Sequence, residues 1–166
     1  STIYFEDLGV DALIVDEAHN YKSVPIVTRM GRVKGVPSGA DSQRAIGMLL
    51  KARHVQSKTG GKNVFLATGT PVKNSMAEAY IMMEIMAPDV LRDYKIYNFD
   101  DFATAYGEIT SSTEISWSGA PKVESRFAKF KKGRELITMI RTVFDVAMGN
   151  ETLGLKVPKV KGGAPS

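Results

Sequence analysis

Ala12-Leu13-Ile14-Val15 runs directly into Asp16-Glu17-Ala18-His19, and further along Val64-Phe65-Leu66-Ala67 runs into Thr68-Gly69-Thr70-Pro71. Both stretches are short apolar runs without alternation that stop abruptly at polar residues. That is the pattern of a strand in a parallel sheet covered on both faces. Residues 12–16 therefore read as a fully buried strand ending in two adjacent carboxylates. Acids at a strand tip suit a magnesium–nucleotide complex and a water aimed at its last phosphate. Residues 64–67 read as a second strand, whose tip supplies hydroxyls that can sit beside that site.

The intervening sequence connects these strands. Residues 24–41 are rich in Gly, Pro and cations and read as a long surface loop. Asp41 or Ser42 can cap a helix running to about Ser57, with Ala45, Met48, Leu49 and Ala52 on one face. Gly60-Gly61 ends it. The result is a strand–helix–strand unit with parallel strands. After Pro71, Ser75 and Glu78 have capping-box spacing and open a helix with the stripe Met76, Ala79, Tyr80 and Met83, which Pro88 is expected to stop. A short helix at 99–106 shows Phe99, Phe102, Ala103 and Tyr106 on one face, closed by Gly107. Alternation around Ile115 and Trp117, a turn at Gly119-Ala120-Pro121, then Val123 and Phe127 are compatible with a hairpin. A last helix is expected from Gly133 to Phe144, and the tail after Gly149 reads as an extended linker.

The 166 residues suit one domain with a real core, and 43% hydrophobic with 24% charged residues is the balance of an ordinary soluble globular protein. With no cysteine, disulfides and thiolate metal sites are excluded. No apolar run approaches the ~20 residues of a bilayer span. The opening at Ser1 and the early first strand read as a piece of a longer polypeptide. Net charge is +4, with cations gathered at Lys122, Arg126, Lys129, Lys131, Lys132 and Arg134. That cluster suits phosphate contacts or a solvated surface. Trp117 either stacks on a base or covers an apolar edge beside Ile115. The methionines at 76, 82, 83 and 86 read as packing.

Hydrolysis of a nucleoside triphosphate needs a positioned Mg²⁺, an oriented water and a proton acceptor. Asp16 suits magnesium, held through a coordinated water. Glu17 can orient and polarise the attacking water. His19 can reach toward a neighbouring strand end, where Thr68 and Thr70 could exchange hydrogen bonds with it as the nucleotide changes. Taken singly, each motif also reads as a polar loop start or a turn. The ordered combination of both strands, both motifs and the capped helix is what points to function.

The stretches Leu13–Lys22 and Ala67–Ser75 resemble motifs II and III of superfamily 2 helicases, with the Swi/Snf-like branch of DEAH-box DNA translocases nearest. In that branch the carboxylate motif is followed by a lysine, as at Lys22, and the threonine motif by an asparagine, as at Asn74. The helix at 99–106 and the exit Leu155-Lys156-Val157-Pro158 look similar too. The resemblance implies an α/β fold: a partial RecA-like, P-loop NTPase-type lobe over residues 1–150, with parallel strands flanked by helices, a helical and hairpin extension, and an exit linker at 151–166. It implies ATP and Mg²⁺ as ligands of the full-length protein, and duplex DNA as its track. It assigns Asp16 to magnesium, Glu17 to water activation, and His19 with Thr68, Gly69 and Thr70 to coupling. Lys73 and Asn74 are then candidates for DNA phosphates. Similar lobes occur in large phage and mobile-element proteins that join a helicase to a DNA methyltransferase, although no methylase signature is present here. The expected setting is cytoplasmic in a bacterium, nuclear in a eukaryote, with no membrane partner.

The phosphate-loop pattern Gly-x₄-Gly-Lys-Ser/Thr is absent from the sequence. Gly60-Gly61-Lys62 only imitates it, with Gln56 in place of the first glycine and Asn63 in place of the hydroxyl. The cradle and a second RecA-like lobe are therefore expected from the rest of a parent chain, and the piece alone is expected to hydrolyse ATP poorly at best. Two other readings stand beside this one: a non-catalytic helicase-like scaffold binding DNA or protein, and a nucleotide-binding enzyme unrelated to helicases. An exposed sheet edge would invite pairing between copies.

Overall fold

The computed structural model describes residues 3–30, 33, 36–37, 42–73, 75–115, 117 and 119–146. The expected exit linker at 151–166, Asn74 and the capping candidate Asp41 lie outside them. The fold is mixed α/β. Strand β1 (Leu13–Val15) pairs in parallel with β2 (Val64–Leu66) in the register Leu13↔Val64, Ile14↔Phe65, Val15↔Leu66. Helix α1 (Gln43–Thr59) connects them. Helix α2 (Met76–Met86) is followed at once by α3 (Pro88–Asp93) and then by α4 (Phe99–Tyr106). A hairpin of β3 (Gly107–Ile115) and β4 (Pro121–Phe130) leads to α5 (Gly133–Arg141).

The strand–helix–strand unit forms where the sequence predicts it, because α1 has a continuous inner face: Ala45, Met48, Ala52 and Val55 are buried. Gly60 closes α1 in the left-handed conformation, and the Gly61 amide also returns to the Gln56 carbonyl at 2.8 Å. The Gln56 side chain is buried and donates to the carbonyls of Ile85 and Met86, both at 2.9 Å. The imitation phosphate loop is thus a helix terminus that also pins α1 to the end of α2.

Several local expectations are corrected. β1 and β2 are buried on one face only: Val15 and Val64 are inside, while Ile14 is 78% and Phe65 57% exposed. Pro88 stops the α2 run as expected, but it also begins a new helix. It occupies the first turn of α3, where its missing amide costs nothing, and it forces Ala87 out of helical geometry so that α2 breaks there. The Ser75 side chain makes no cap bond to α2. Helix α2 is buried nearly all round, from Ala77 to Met83 and at Ile85, and so shows no single stripe. Helix α5 stops at Arg141 and buries Leu136 and Met139, leaving Ile137 half-exposed. The 24–30 stretch is tied down, with the Asp100 carboxylate accepting from the Thr28 hydroxyl and, at 2.9 Å, from the Arg29 amide. These bonds hold the Asp100 carboxyl below its usual range.

The main core is an aromatic row. Tyr80 meets Phe99 and Phe102, each with ring centroids 5.4 Å away, and Phe102 meets Tyr106 at 5.5 Å. Phe127 of β4 packs edge-on to Phe99 at 6.0 Å, which anchors the base of the hairpin. A smaller cluster of Val15, Ala18, Met48 and Met82 lies under the parallel pair. It fixes the strand tips against α1 and α2. Among the described residues, no helix is long and apolar enough to cross a membrane.

Candidate functional site

Parallel pairing carries both polar motifs to the same end of the sheet. The ladder continues past the strands: the Ala67 amide donates to the Val15 carbonyl at 2.8 Å, and the Ala18 amide to the Ala67 carbonyl at 3.0 Å. The chain between Val15 and Ala18 must bulge to rejoin the ladder, and Glu17 absorbs the turn at φ 49°, in the left-handed region. For a residue with a side chain this conformation costs roughly 1–2 kcal/mol. Strain of this kind clusters at functional sites. The Glu17 carbonyl is held by the Asn20 backbone amide and side-chain amide, each at 3.1 Å. The Glu17 amide donates to Asp16 Oδ1 at 2.8 Å.

The side chains meet above this backbone. His19 Nδ1 lies 3.0 Å from Glu17 Oε2 and 3.5 Å from Thr68 Oγ1. A carboxylate can only accept, so Nδ1 carries the proton of the Glu17 contact. The Thr68 hydroxyl in turn accepts from the Thr70 amide at 3.1 Å. Glu17, His19 and Thr68 therefore meet directly, with Asp16 tied in through the Glu17 amide and Thr70 through the Thr68 hydroxyl, while Gly69 lies between the two threonines in sequence. Lys73 is exposed at the far end of the second loop.

A buried ion pair lies behind the cluster, and sequence reasoning missed it. Lys22 Nζ sits 3.1 Å from Glu78 Oε2, with both side chains only about a tenth exposed. The same ammonium donates to the Thr70 carbonyl, and Glu78 Oε2 also accepts the Lys73 amide at 2.7 Å. Lys22 thus joins the carboxylate loop, the threonine loop and α2 at one point. The helicase resemblance singled out Lys22, and capping spacing singled out Glu78, but nothing local signals that they meet.

The donor set bears on metal binding. No group of three or more His, Cys, Asp or Glu residues that could hold a metal exists among the described residues. Those residues alone therefore build no dedicated protein cage. A single exposed carboxylate at a strand tip instead fits magnesium, which keeps several waters and takes one or two carboxylates together with substrate phosphates. On the other side of β2 lies a cleft of about 700 Å³ lined by Phe65, Thr68, Gly69, Met82, Met86 and Phe144, among others.

The profile of the family described as a probable helicase domain matches residues 1–147. The chain belongs to that helicase-domain family. A curated relative, the "Defense against restriction protein B" of Escherichia phage P1, is 34% identical over 143 residues, which is 85% of this chain and 6% of that protein. The helicase domain thus spans a small fraction of the length of the relative it matches. No solved structure matches.

Proposed function

We propose that this helicase domain is part of an ATP-dependent DNA helicase or translocase of the Swi/Snf-like branch, and that its strand–helix–strand unit belongs to a RecA-like lobe. Asp16 would hold magnesium through a coordinated water. Glu17 would orient and polarise the water that attacks the terminal phosphate. His19, Thr68, Gly69 and Thr70 would pass the change at the phosphate to the rest of the lobe, and Lys73 with Asn74 would face DNA phosphates. The observation that carries this reading is the meeting of Glu17, His19 and Thr68 at the ends of paired parallel strands. One ring nitrogen there senses both the carboxylate that would face the water and the hydroxyl of the second loop. The phage relative's name adds restriction defence as a setting for such DNA work.

The test uses the full-length protein that contains this domain. Glu17→Gln keeps the size of the side chain and removes its basic oxygen. It should abolish DNA-stimulated ATP turnover while leaving nucleotide binding largely intact. Normal turnover in that variant would remove Glu17 from the mechanism. A parent protein that binds DNA with no turnover of its own would favour the non-catalytic scaffold.

A further inference from the structure

The β3–β4 hairpin extends from the aromatic core, and its far end touches little of it. Its register runs from Gly107↔Phe130 at the base to Ile115↔Pro121 near the tip. At ~3.3 Å per residue the arm is about 30 Å long. The base is fixed by Phe127 against Phe99, and half-way along, Val33 bridges to Ser125. Toward the tip the packing stops: Ile115 is 80%, Val123 67% and Trp117 fully exposed. The expectation that Trp117 covers an apolar edge beside Ile115 does not hold, since both are in solvent. A tryptophan that buries nothing gains nothing for the fold. Residues 107–134 also hold six cations against three acids (Glu108, Glu114 and Glu124), so most of the chain's +4 lies in this stretch. At the base, Lys129, Lys131, Lys132 and Arg134 are exposed.

We propose that the hairpin is a nucleic-acid-binding arm that takes an unpaired strand, with Trp117 stacking on a base at the tip and Lys129, Lys131, Lys132 and Arg134 meeting phosphates at the base. An aromatic platform together with cations along a track is the chemistry of strand binding without sequence preference. The unpaired strand is favoured over duplex because a stacked base must offer its flat face. The charge favours nucleic acid over an apolar protein partner. This inference rests on the DNA-binding part of the proposed function and names the element that performs it.

Trp117 is the chain's single tryptophan, so its fluorescence reads the tip alone. An oligothymidylate of about 12 nucleotides, within the site sizes known for strand-binding folds, should quench that emission saturably in low salt. With labelled oligonucleotide and an anisotropy readout, Trp117→Ala should weaken binding by about tenfold or more. Joint replacement of Lys129, Lys131 and Lys132 by Gln should lower the salt slope by about 2, at ~0.7 per lost phosphate contact on a single strand. Unchanged far-UV circular dichroism identifies variants that fold. The absence of quenching, equal affinity of Trp117→Ala, or binding of duplex alone would each overturn the proposal. So would an emission that ignores the oligonucleotide and shifts with protein concentration, because the tip would then be a contact between copies. No nucleotide triphosphate enters this titration, so its failure leaves the Glu17→Gln test of hydrolysis untouched.

Discussion

Lys22 shows how one side chain can organise two loops. Its ammonium is nearly enclosed, and its partners Glu78 and the Thr70 carbonyl come from segments far along the chain. Enclosure makes it costly to remove one partner, because the remaining charge is left in a poorly solvated place. Lys22→Met should therefore destabilise the domain by on the order of 3 kcal/mol, read as a lower midpoint in urea unfolding. A midpoint equal to that of the parent sequence would mean that the pair is solvated and does not tie the loops together. Glu17 carries strain in the same loop, and the Asn20 amides that hold its carbonyl keep it in place.

Among the elements, the base of the hairpin is a tight junction. A β-carbon added at Gly107 would lie 2.5 Å from Phe127 Cε1 and 2.8 Å from the Ala103 carbonyl oxygen. Gly107→Ala should cost about 1–3 kcal/mol of stability, since Phe127 is already wedged against Phe99. Thermal unfolding would measure it, and an unchanged midpoint would show that the ring can swing away freely. The elements legible in the sequence are those whose faces are set by local spacing. Phe99, Phe102, Ala103 and Tyr106 are the buried face of α4, as their spacing predicts. Ala45, Met48 and Ala52 do the same for α1. Pro88 marks the end of α2 as expected, but the helix it opens is not legible, because one residue type both ends helices and begins them. Helix α2 misleads because burial on every side erases periodicity. In the candidate site, each strand and its polar ending could be read from the chain. The left-handed turn at Glu17 and the Lys22–Glu78 pair could not, since they arise from how distant segments close on one another.

For the whole molecule, the two clusters of buried side chains divide the work. The aromatic row carries the helices and the hairpin, while Val15, Ala18, Met48 and Met82 hold the strand tips. The sheet is thin, with two strands among the described residues, and it buries Val15 and Val64 on one face. Ile14 and Phe65 stand side by side in register on the other face. Such a pair is an adhesive spot in concentrated solution. Ile14→Lys should place a gatekeeping charge there and suppress concentration-dependent light scattering without altering far-UV circular dichroism. Scattering that persists would move the sticky surface elsewhere, to the hairpin tip first. Handling of the isolated domain follows from this: dilution, a mild hydrotrope or the lysine variant would govern whether it stays monodisperse.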